Sequence, residues 1–325
     1  MDQPNLHPDS LFLSGDWGTS SLRLRLVEKG TLRVLGATAS PEGSAVVHRQ
    51  WKEAGSDRLA FYHSVLRRHL ESIEKAVGRA LAHLPLVLSG MASSSVGMKE
   101  LPYRPLPVPA GAAGLLSEWL PATPAFPHPV LLVSGLRTET DVLRGEETQL
   151  AGCLPEEGPL SGLFLFPGTH SKHVTAEGGI LTRFATFMTG EFFQLLSGAS
   201  LLAGSVAPGQ RLEEGTNRAA FTCGVQEGHR SPLLQAGFRV RTNDLFGRFS
   251  KEENFWYLSG LLIGNELAAL PAGNGVPVTL VAGGTLAAAY ASACTALDIQ
   301  FRAVDADAAL LRAHALLLQT AAPPS

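Results

Sequence analysis

Cysteine is scarce in this sequence: 3 of 325 residues, with no two at CxxC spacing. Cys153, Cys223 and Cys294 therefore form neither a disulfide frame nor a zinc site, and read as buried thiols of a reducing compartment. A glycine-lysine phosphate loop of the Walker type is missing, and so is the GxGxxG turn of dinucleotide-binding folds. Charge is thin as well, with 17% of residues charged and a net charge of −3. That balance gives neither nucleic acid nor an anionic membrane an electrostatic handle, and no helix-turn-helix segment offers another. No apolar run is long enough to span a bilayer. The polar opening MDQPNLHPDS holds no apolar signal core. The expectation is a cytoplasmic protein with no nucleic-acid and no membrane partner.

What is plentiful is glycine, 34 residues in a chain that is 45% hydrophobic. This is the composition of a well-packed, loop-rich α/β protein. The length exceeds what one hydrophobic core serves, so two domains are expected, residues 1–157 and 158–325. Leu11 to Ser14, Leu22 to Val27 and Thr31 to Leu35 read as strands. Apolar positions at helical spacing (Leu59, Tyr62, Leu66, Leu70, Ile73, Val77) predict a helix over 57–83. Short strands at 84–89 and 130–134 flank a Gly-, Ser- and Pro-rich loop, SGMASSSVGMKELPYRPLPVPAG, and 138–151 has helical character. Further on, 190–202 and NFWYLSGLLIGNELAAL read as helices, the second apolar enough for the core or for a homodimer interface. PVTLVAGGTLAAAY reads as buried strand, glycine turn and helix. A strand at 300–304 leads to a last helix over 305–320.

Two stretches echo one another. SGDWGTSSLRLRL and GLFLFPGTHSKHV both run strand, Gly-Thr turn, strand, with Gly18-Thr19 and Gly168-Thr169 separated by 150 positions. Gly30 and Gly179 stand in nearly the same relation. A repeated three-strand layout points to two related domains, each offering a hydroxyl-bearing hairpin to a shared cleft.

Phosphate chemistry accounts for those turns. A nucleoside triphosphate needs backbone N–H donors, hydroxyls or cations around its phosphates, and a carboxylate for Mg²⁺. The first hairpin supplies Gly18, Thr19 and Ser20, with Asp16 as the metal partner. The second supplies Gly168, Thr169, His170, Ser171 and Lys172. Lys172 either offsets charge on the transferred phosphoryl group or is a solvated strand residue. His170 either donates to phosphate or settles into a structural hydrogen bond. Gly283-Gly284, opening a helix of small residues, admits a flat ligand such as adenine. The segment TETDVLRGEETQLAG concentrates Asp141, Glu146 and Glu147 around Arg144. It is either a solvated helix face or the source of a carboxylate that accepts the proton of an attacking hydroxyl.

Two Gly-Thr hairpins and a late glycine loop resemble the phosphate-1, phosphate-2 and adenosine motifs of the acetate and sugar kinase/Hsp70/actin superfamily. Within it, DWGTSSLRLRL, DVLRGEETQLAG, FPGTHSKHV, FATFMTGEFFQLLS and YLSGLLIGNEL resemble the 2-dehydro-3-deoxygalactonokinase family over residues 11–315. The resemblance implies two duplicated ribonuclease-H-like domains with a cleft between them, the actin-like ATPase fold. It also implies ATP- and Mg²⁺-dependent phosphorylation of the 6-hydroxyl of 2-dehydro-3-deoxy-D-galactonate in galactonate catabolism. Carried over, Asp16, Gly18, Thr19 and Ser20 serve the first phosphate site, with Asp16 toward the metal. Gly168, Thr169, His170, Ser171 and Lys172 serve the second, Lys172 as a catalytic cation, and Gly283 and Gly284 serve the adenosine. Glu146 is the implied base, with Asp141 as the fallback. Where the family carries a loop of the kind Ser-Arg-Gln-Gly-Trp before Pro-Tyr, this chain has SSSVGMKELPY, with Ser95 and Met98 at the arginine and tryptophan places. That departure leaves Lys99, Tyr103 and Arg104 as candidate contacts to the sugar acid, the two cations for its carboxylate. Two rival readings remain: a kinase of the same fold acting on another keto-deoxy sugar acid or amino sugar, and a non-catalytic nucleotide-dependent sensor.

Overall fold

A computed structural model describes residues 10–154, 158–209, 211–271 and 278–321; the polar N-terminal segment and the tail end fall outside them. The chain divides into two units, Met1–Leu160 with Glu177–Arg183 and Ala306–Ser325, and Ser161–Ala176 with Phe184–Asp305. A single cut between 157 and 158 instead assigns the last helix to the second half.

The first unit contains β1 (Leu11–Trp17), β2 (Leu22–Glu28), β3 (Val34–Ser40), α1 (Ser44–Ala54), α2 (Arg58–Val77), β4 (Leu86–Gly90), β5 (Arg104–Pro105), β6 (Val108–Pro109), β7 (Ser117–Leu120), β8 (Val130–Val133), β9 (Leu136–Arg137), β10 (Val142–Leu143) and α3 (Glu146–Ala151). Its main sheet runs β3-β2-β1-β4-β8-β7. Strands β1, β4 and β8 are parallel, whereas β2 and β3 are antiparallel to their neighbours. The alternate residues Leu11, Leu13, Leu24, Leu26, Leu86 and Leu88 face α2, which returns Tyr62, Leu66, Leu70 and Ile73 to the same core. Helix α2 starts at Asp57, whose side chain accepts from the Ala60 N–H, and stops at Gly78 in the left-handed region, the N-cap and C-cap chemistry that ends a helix cleanly.

The second unit contains β11 (Gly162–Phe166), β12 (Ser171–Glu177), the part of β13 (Ile180–Phe187) from Phe184 on, α4 (Thr189–Ala199), α5 (Asn217–Arg230), α6 (Leu233–Gly237), α7 (Arg239–Leu245), α8 (Lys251–Leu267), β14 (Val278–Ala282), α9 (Gly284–Ala296) and β15 (Phe301–Asp305). The strand order β13-β12-β11-β14-β15 repeats that of the first unit. Again the first two strands are antiparallel and the first, fourth and fifth parallel. The duplication legible in the two Gly-Thr hairpins is thus a duplication of five strands of each six-stranded sheet. Helices α5 and α8 pack through facing glycines: a Cβ on Gly228 would lie 1.9 Å from the Leu261 carbonyl oxygen, and one on Gly264 2.1 Å from that of Val225.

Finally α10 (Ala306–Thr320) rejoins the first unit. His314, fully buried, bridges Ser14 Oγ of β1 at 2.9 Å and Ser89 Oγ of β4 at 3.1 Å. Burial pushes its imidazole down to about 3, so it is neutral and bonds as both donor and acceptor.

Several elements differ from the sequence expectations. The third strand begins at Val34, not Thr31, because Gly30 to Arg33 are spent on the turn, where Leu32 has a positive φ. The helix expected over 138–151 is only Glu146–Ala151; a turn closed by the Thr138 hydroxyl and the short strand β10, paired with β9 just before it, precede that helix. Helix α1 and strand β7 were not among the expected elements. Helix α8 is spent on the core, with Trp256, Leu258, Leu261 and Leu262 buried, so it offers no homodimer face. Cys153 and Cys294 are buried, but Cys223 on α5 is exposed. No helix among the described residues is long and apolar enough to cross a membrane.

Candidate active site

Asp16 lies at the end of β1, directly opposite Arg23 on β2. Burial pushes its carboxyl up from the usual range, against the pull of Arg23 and Arg25. Arg23 Nη1 is 3.8 Å from Asp16 Oδ2 and 3.7 Å from Asp307 Oδ1, while Arg25 Nη2 is 2.7 Å from Asp307 Oδ2. The turn after it is closed by the Gly18 N–H donating to Ser21 O at 2.9 Å, leaving Thr19 and Ser20 exposed. Their carbonyl side is held by the start of α1: Ser44 N–H donates to Gly18 O, and Ala45 N–H to Thr19 O. Gly43 permits this, since a Cβ there would sit 2.2 Å from Thr19 O.

Two further glycines bring the acidic turn to Asp16. Gly90 ends β4 at φ +81°, where a Cβ would lie 2.8 Å from Trp17 O and 3.5 Å from Asp16 Oδ1. Gly145, at φ +116°, packs on Gly90 in turn, with 3.4 Å from its would-be Cβ to the Gly90 Cα. Glu146 follows as the first residue of α3, half-buried, accepting from the Arg144 N–H at 3.2 Å. Glu147 is 2% exposed and both its oxygens are engaged, one by the Gly145 N–H at 2.7 Å and one by the Thr148 hydroxyl at 2.9 Å. Burial, reinforced by Glu146, pushes its carboxyl up to about 7. Glu146, by contrast, is only half-buried. Asp141 is not on this helix. It sits in the preceding turn, where its carboxylate accepts from the Val142 N–H, and the fallback assignment loses its basis in a shared helix face.

The sugar-acid candidates are tethered. Lys99 pairs with Glu118 at 2.5 Å and Arg104 donates to the Ala113 carbonyl at 3.1 Å. Tyr103 carries the Arg144 guanidinium 4.0 Å above its ring, and Arg144 in turn bonds Ser93 and the Leu101 carbonyl. Met98, at the family's tryptophan place, is 2% exposed within the first unit's core, so that exchange is one of packing. Ser95 is exposed; its backbone carbonyl accepts from Arg58.

In the second unit the Gly168-Thr169 turn repeats the device of the first. Glu191 N–H at the start of α4 donates to Thr169 O at 3.0 Å. Gly190 allows the approach, because a Cβ there would stand 2.5 Å from Gly168 O. Beside the turn lies a cavity of about 200 Å³ whose walls include Gly168, Phe193 and Trp256, together with Thr285, Leu286 and Tyr290 of α9, the helix opened by Gly283-Gly284. Gly284 has φ +58° and open space at its Cβ position. The second hairpin and the glycine loop thus meet at one largely apolar pocket, the surface a planar base requires. Lys172 is only 6% exposed and has no carboxylate within ion-pair distance among the described residues. His170, by contrast, is exposed and paired with Glu191, which is the structural alternative for that residue. Ser171 is buried against the Tyr290 hydroxyl at 2.9 Å.

A family model described as 2-keto-3-deoxy-galactonokinase matches residues 16–316. The chain belongs to this family. It is 35% identical over 304 residues to a protein of Rhizobium meliloti (strain 1021) named "probable 2-dehydro-3-deoxygalactonokinase", covering 91% of this chain and 92% of that one. It is likewise 35% identical over 314 residues to the 2-dehydro-3-deoxygalactonokinase of Escherichia coli (strain K12), covering 92% and 94%. A Sinorhizobium meliloti crystal structure described as a 2-dehydro-3-deoxygalactonokinase superposes with a TM-score of 0.79 at 31% identity, over 97% of this chain and 98% of that one. In this 2-keto-3-deoxy-galactonokinase family member, the residues that build the pocket wall, and the carboxylate behind it, carry little local signal. Phe193, Trp256 and Tyr290 look like ordinary core at helical spacing, and Glu266 like one charge in an apolar run. The signal that could have found Glu266 is its isolation: a carboxylate in YLSGLLIGNEL must be paired to be buried.

Proposed function

We propose that this protein transfers a phosphoryl group from ATP to the 6-hydroxyl of 2-dehydro-3-deoxy-D-galactonate, as a cytoplasmic enzyme of galactonate breakdown. The observation that carries the reading is a family match running through both Gly-Thr hairpins and the acidic turn. The cavity beside Gly168 supports adenosine placement, and the buried Lys172, without an ion-pair partner among the described residues, supports an anionic neighbour. For Mg²⁺ the donor set is sparse. No cluster of three or more His, Cys, Asp or Glu suited to a metal occurs among the described residues. One desolvated carboxylate, Asp16, fits an ion that takes most of its ligands from phosphate and water. Bound there, the ion would neutralise phosphate charge.

This chain's residues then divide the chemistry. Gly18, Thr19, Gly168 and Thr169 present turn backbone and hydroxyls to phosphate oxygens. Lys172 offsets charge on the transferred group. Glu146 takes the proton of the attacking hydroxyl as its oxygen bonds to phosphorus and the bond to the ADP oxygen breaks. Glu146→Gln is expected to lower kcat by about 10²-fold, measured in a coupled assay of ADP release; a kcat within threefold of wild type would remove Glu146 from the role.

The tethering of Lys99 and Arg104 favours a second reading, in which the same transfer serves another keto-deoxy sugar acid. Mg·ATP turnover across a panel of 2-keto-3-deoxy sugar acids decides. Saturation with 2-dehydro-3-deoxygalactonate supports the first reading, and turnover only with another acid supports the second. ATP binding without turnover of any acid overturns both in favour of a sensor.

A further inference from the structure

Four segments of the second unit meet at a single buried carboxylate. Glu266, in the last turn of α8, is 3% exposed. Its Oε1 lies 3.0 Å from His173 Nε2 on β12. Its Oε2 receives the Tyr290 hydroxyl of α9 at 2.6 Å and the hydroxyl of Thr189 at the start of α4. The Tyr290 oxygen lies 2.9 Å from Ser171 Oγ, and Ser171 Oγ 3.4 Å from the Gly168 N–H. Gly168, Thr189 and Tyr290 line the cavity; Glu266 stands behind them.

We propose that Glu266 is a positioning residue for nucleotide binding, fixing the phosphate turn and the adenosine helix relative to each other through a hydrogen-bond row of one polarity. The proposal rests on the reading of the cavity as the nucleotide pocket. An ionised carboxylate only accepts, so both Tyr290 and Thr189 must donate to it. The single Tyr290 proton is then spent, and its oxygen can only accept from Ser171. The Ser171 proton is spent in turn, which leaves its lone pairs for the Gly168 N–H. One acceptor-only group thus sets the direction of each bond from α8 to the first residue of the turn. Three donors also offset the cost of burying the charge. A glutamine in its place keeps the three contacts only if its amide oxygen faces Tyr290 and Thr189 and its N–H group meets a His173 whose Nε2 accepts, and every bond to the carboxylate then loses its charge.

The test measures ATP affinity by titration calorimetry, alongside the KM for the sugar acid and the thermal midpoint. Glu266→Gln and Tyr290→Phe are each expected to weaken ATP binding roughly tenfold, the scale of a lost hydrogen bond to a charged group, with the sugar-acid KM within twofold. The double variant is expected to be no weaker than the worse single one, since both break the same row. Thr189→Ser should recover most of what Thr189→Val loses. ATP affinity within twofold of wild type in Glu266→Gln overturns the proposal. So do multiplicative effects in the double variant, or an equal rise in both substrate constants. If Glu266→Gln does not fold, the Thr189 pair decides alone: an unchanged Thr189→Val overturns the coupling. A folded wild-type protein that binds no ATP overturns the pocket reading itself, and this result differs from every variant-only failure.

Discussion

The two Gly-Thr hairpins are built alike and differ in the charges at their strand ends. In the first, Asp16 stands opposite Arg23; in the second, Phe166 stands opposite Lys172. Each turn is gripped by the start of the next helix through a glycine that has no room for a side chain, Gly43 in one case and Gly190 in the other. The scaffold therefore delivers the same backbone turn twice, and strand-end residues decide what it meets. Next to Asp16 the desolvated carboxylate suits a cation. Next to Phe166 the neighbours are a buried lysine and an apolar cavity, which suit a phosphate and a base. The buried polar nodes diverge in the same way. The first unit uses neutral His314 between two serines, and the second uses Glu266 among three donors.

The sharpest way to break this comparison is to neutralise each hairpin. Asp16→Asn and Lys172→Met are each expected to lower kcat by about 10²- to 10³-fold, the range for removing one preorganised electrostatic group. Raising Mg²⁺ should recover part of the loss for Asp16→Asn and none for Lys172→Met. Equal responses to Mg²⁺ would erase the division of labour between the hairpins.

A smaller effect is expected at the grips. Gly43→Ala and Gly190→Ala each push a Cβ onto a backbone oxygen that cannot rotate away, at a cost of about 1–3 kcal/mol in stability. Thermal unfolding should report both, and both should raise the KM for ATP, Gly190→Ala the more because its turn also borders the cavity. An equal rise in the two variants would mean that the first turn serves the nucleotide as strongly as the second.

The smallest effect concerns pH. His314 titrates at about 3 in the folded protein, below the ordinary 6.5, and His63, stacked on Phe126, at about 4. The unfolded chain therefore takes up these protons first. Their contribution to stability is intact above about pH 6.5 and is lost as the pH falls toward the folded values. His314 alone should account for about 1 kcal/mol by pH 5.5. Replacing it with glutamine, which can still bridge Ser14 and Ser89, should flatten the acid limb of a Tm-against-pH curve. An unchanged limb would place the proton uptake elsewhere.

Local pattern and tertiary contact carried different parts of this molecule. Strict alternation in LRLRL, the helical spacing of 57–83 and the repeated Gly-Thr turn were legible because their causes lie within a few residues: pleat, helix period and backbone freedom. The helix expected over 138–151 misread because its acids and apolar residues also suit a turn and a short strand, and only pairing of Val142 and Leu143 with Arg137 and Leu136 settles the matter. Glu266 and Tyr290 escaped notice for the same reason, their partners being 93 and 119 residues away in sequence.

By itself, the sequence determined a duplicated α/β chain with two hydroxyl-bearing Gly-Thr turns, since each turn's glycine, hydroxyls and flanking strands are local. Tertiary structure decided which carboxylates are usable and where a base could lie. Burial commits both oxygens of Glu147 while Glu146 stays half-buried, and the walls of the cavity come from β11–β12, α4, α8 and α9 together. Desolvation and the meeting of distant segments exist only once the chain has folded.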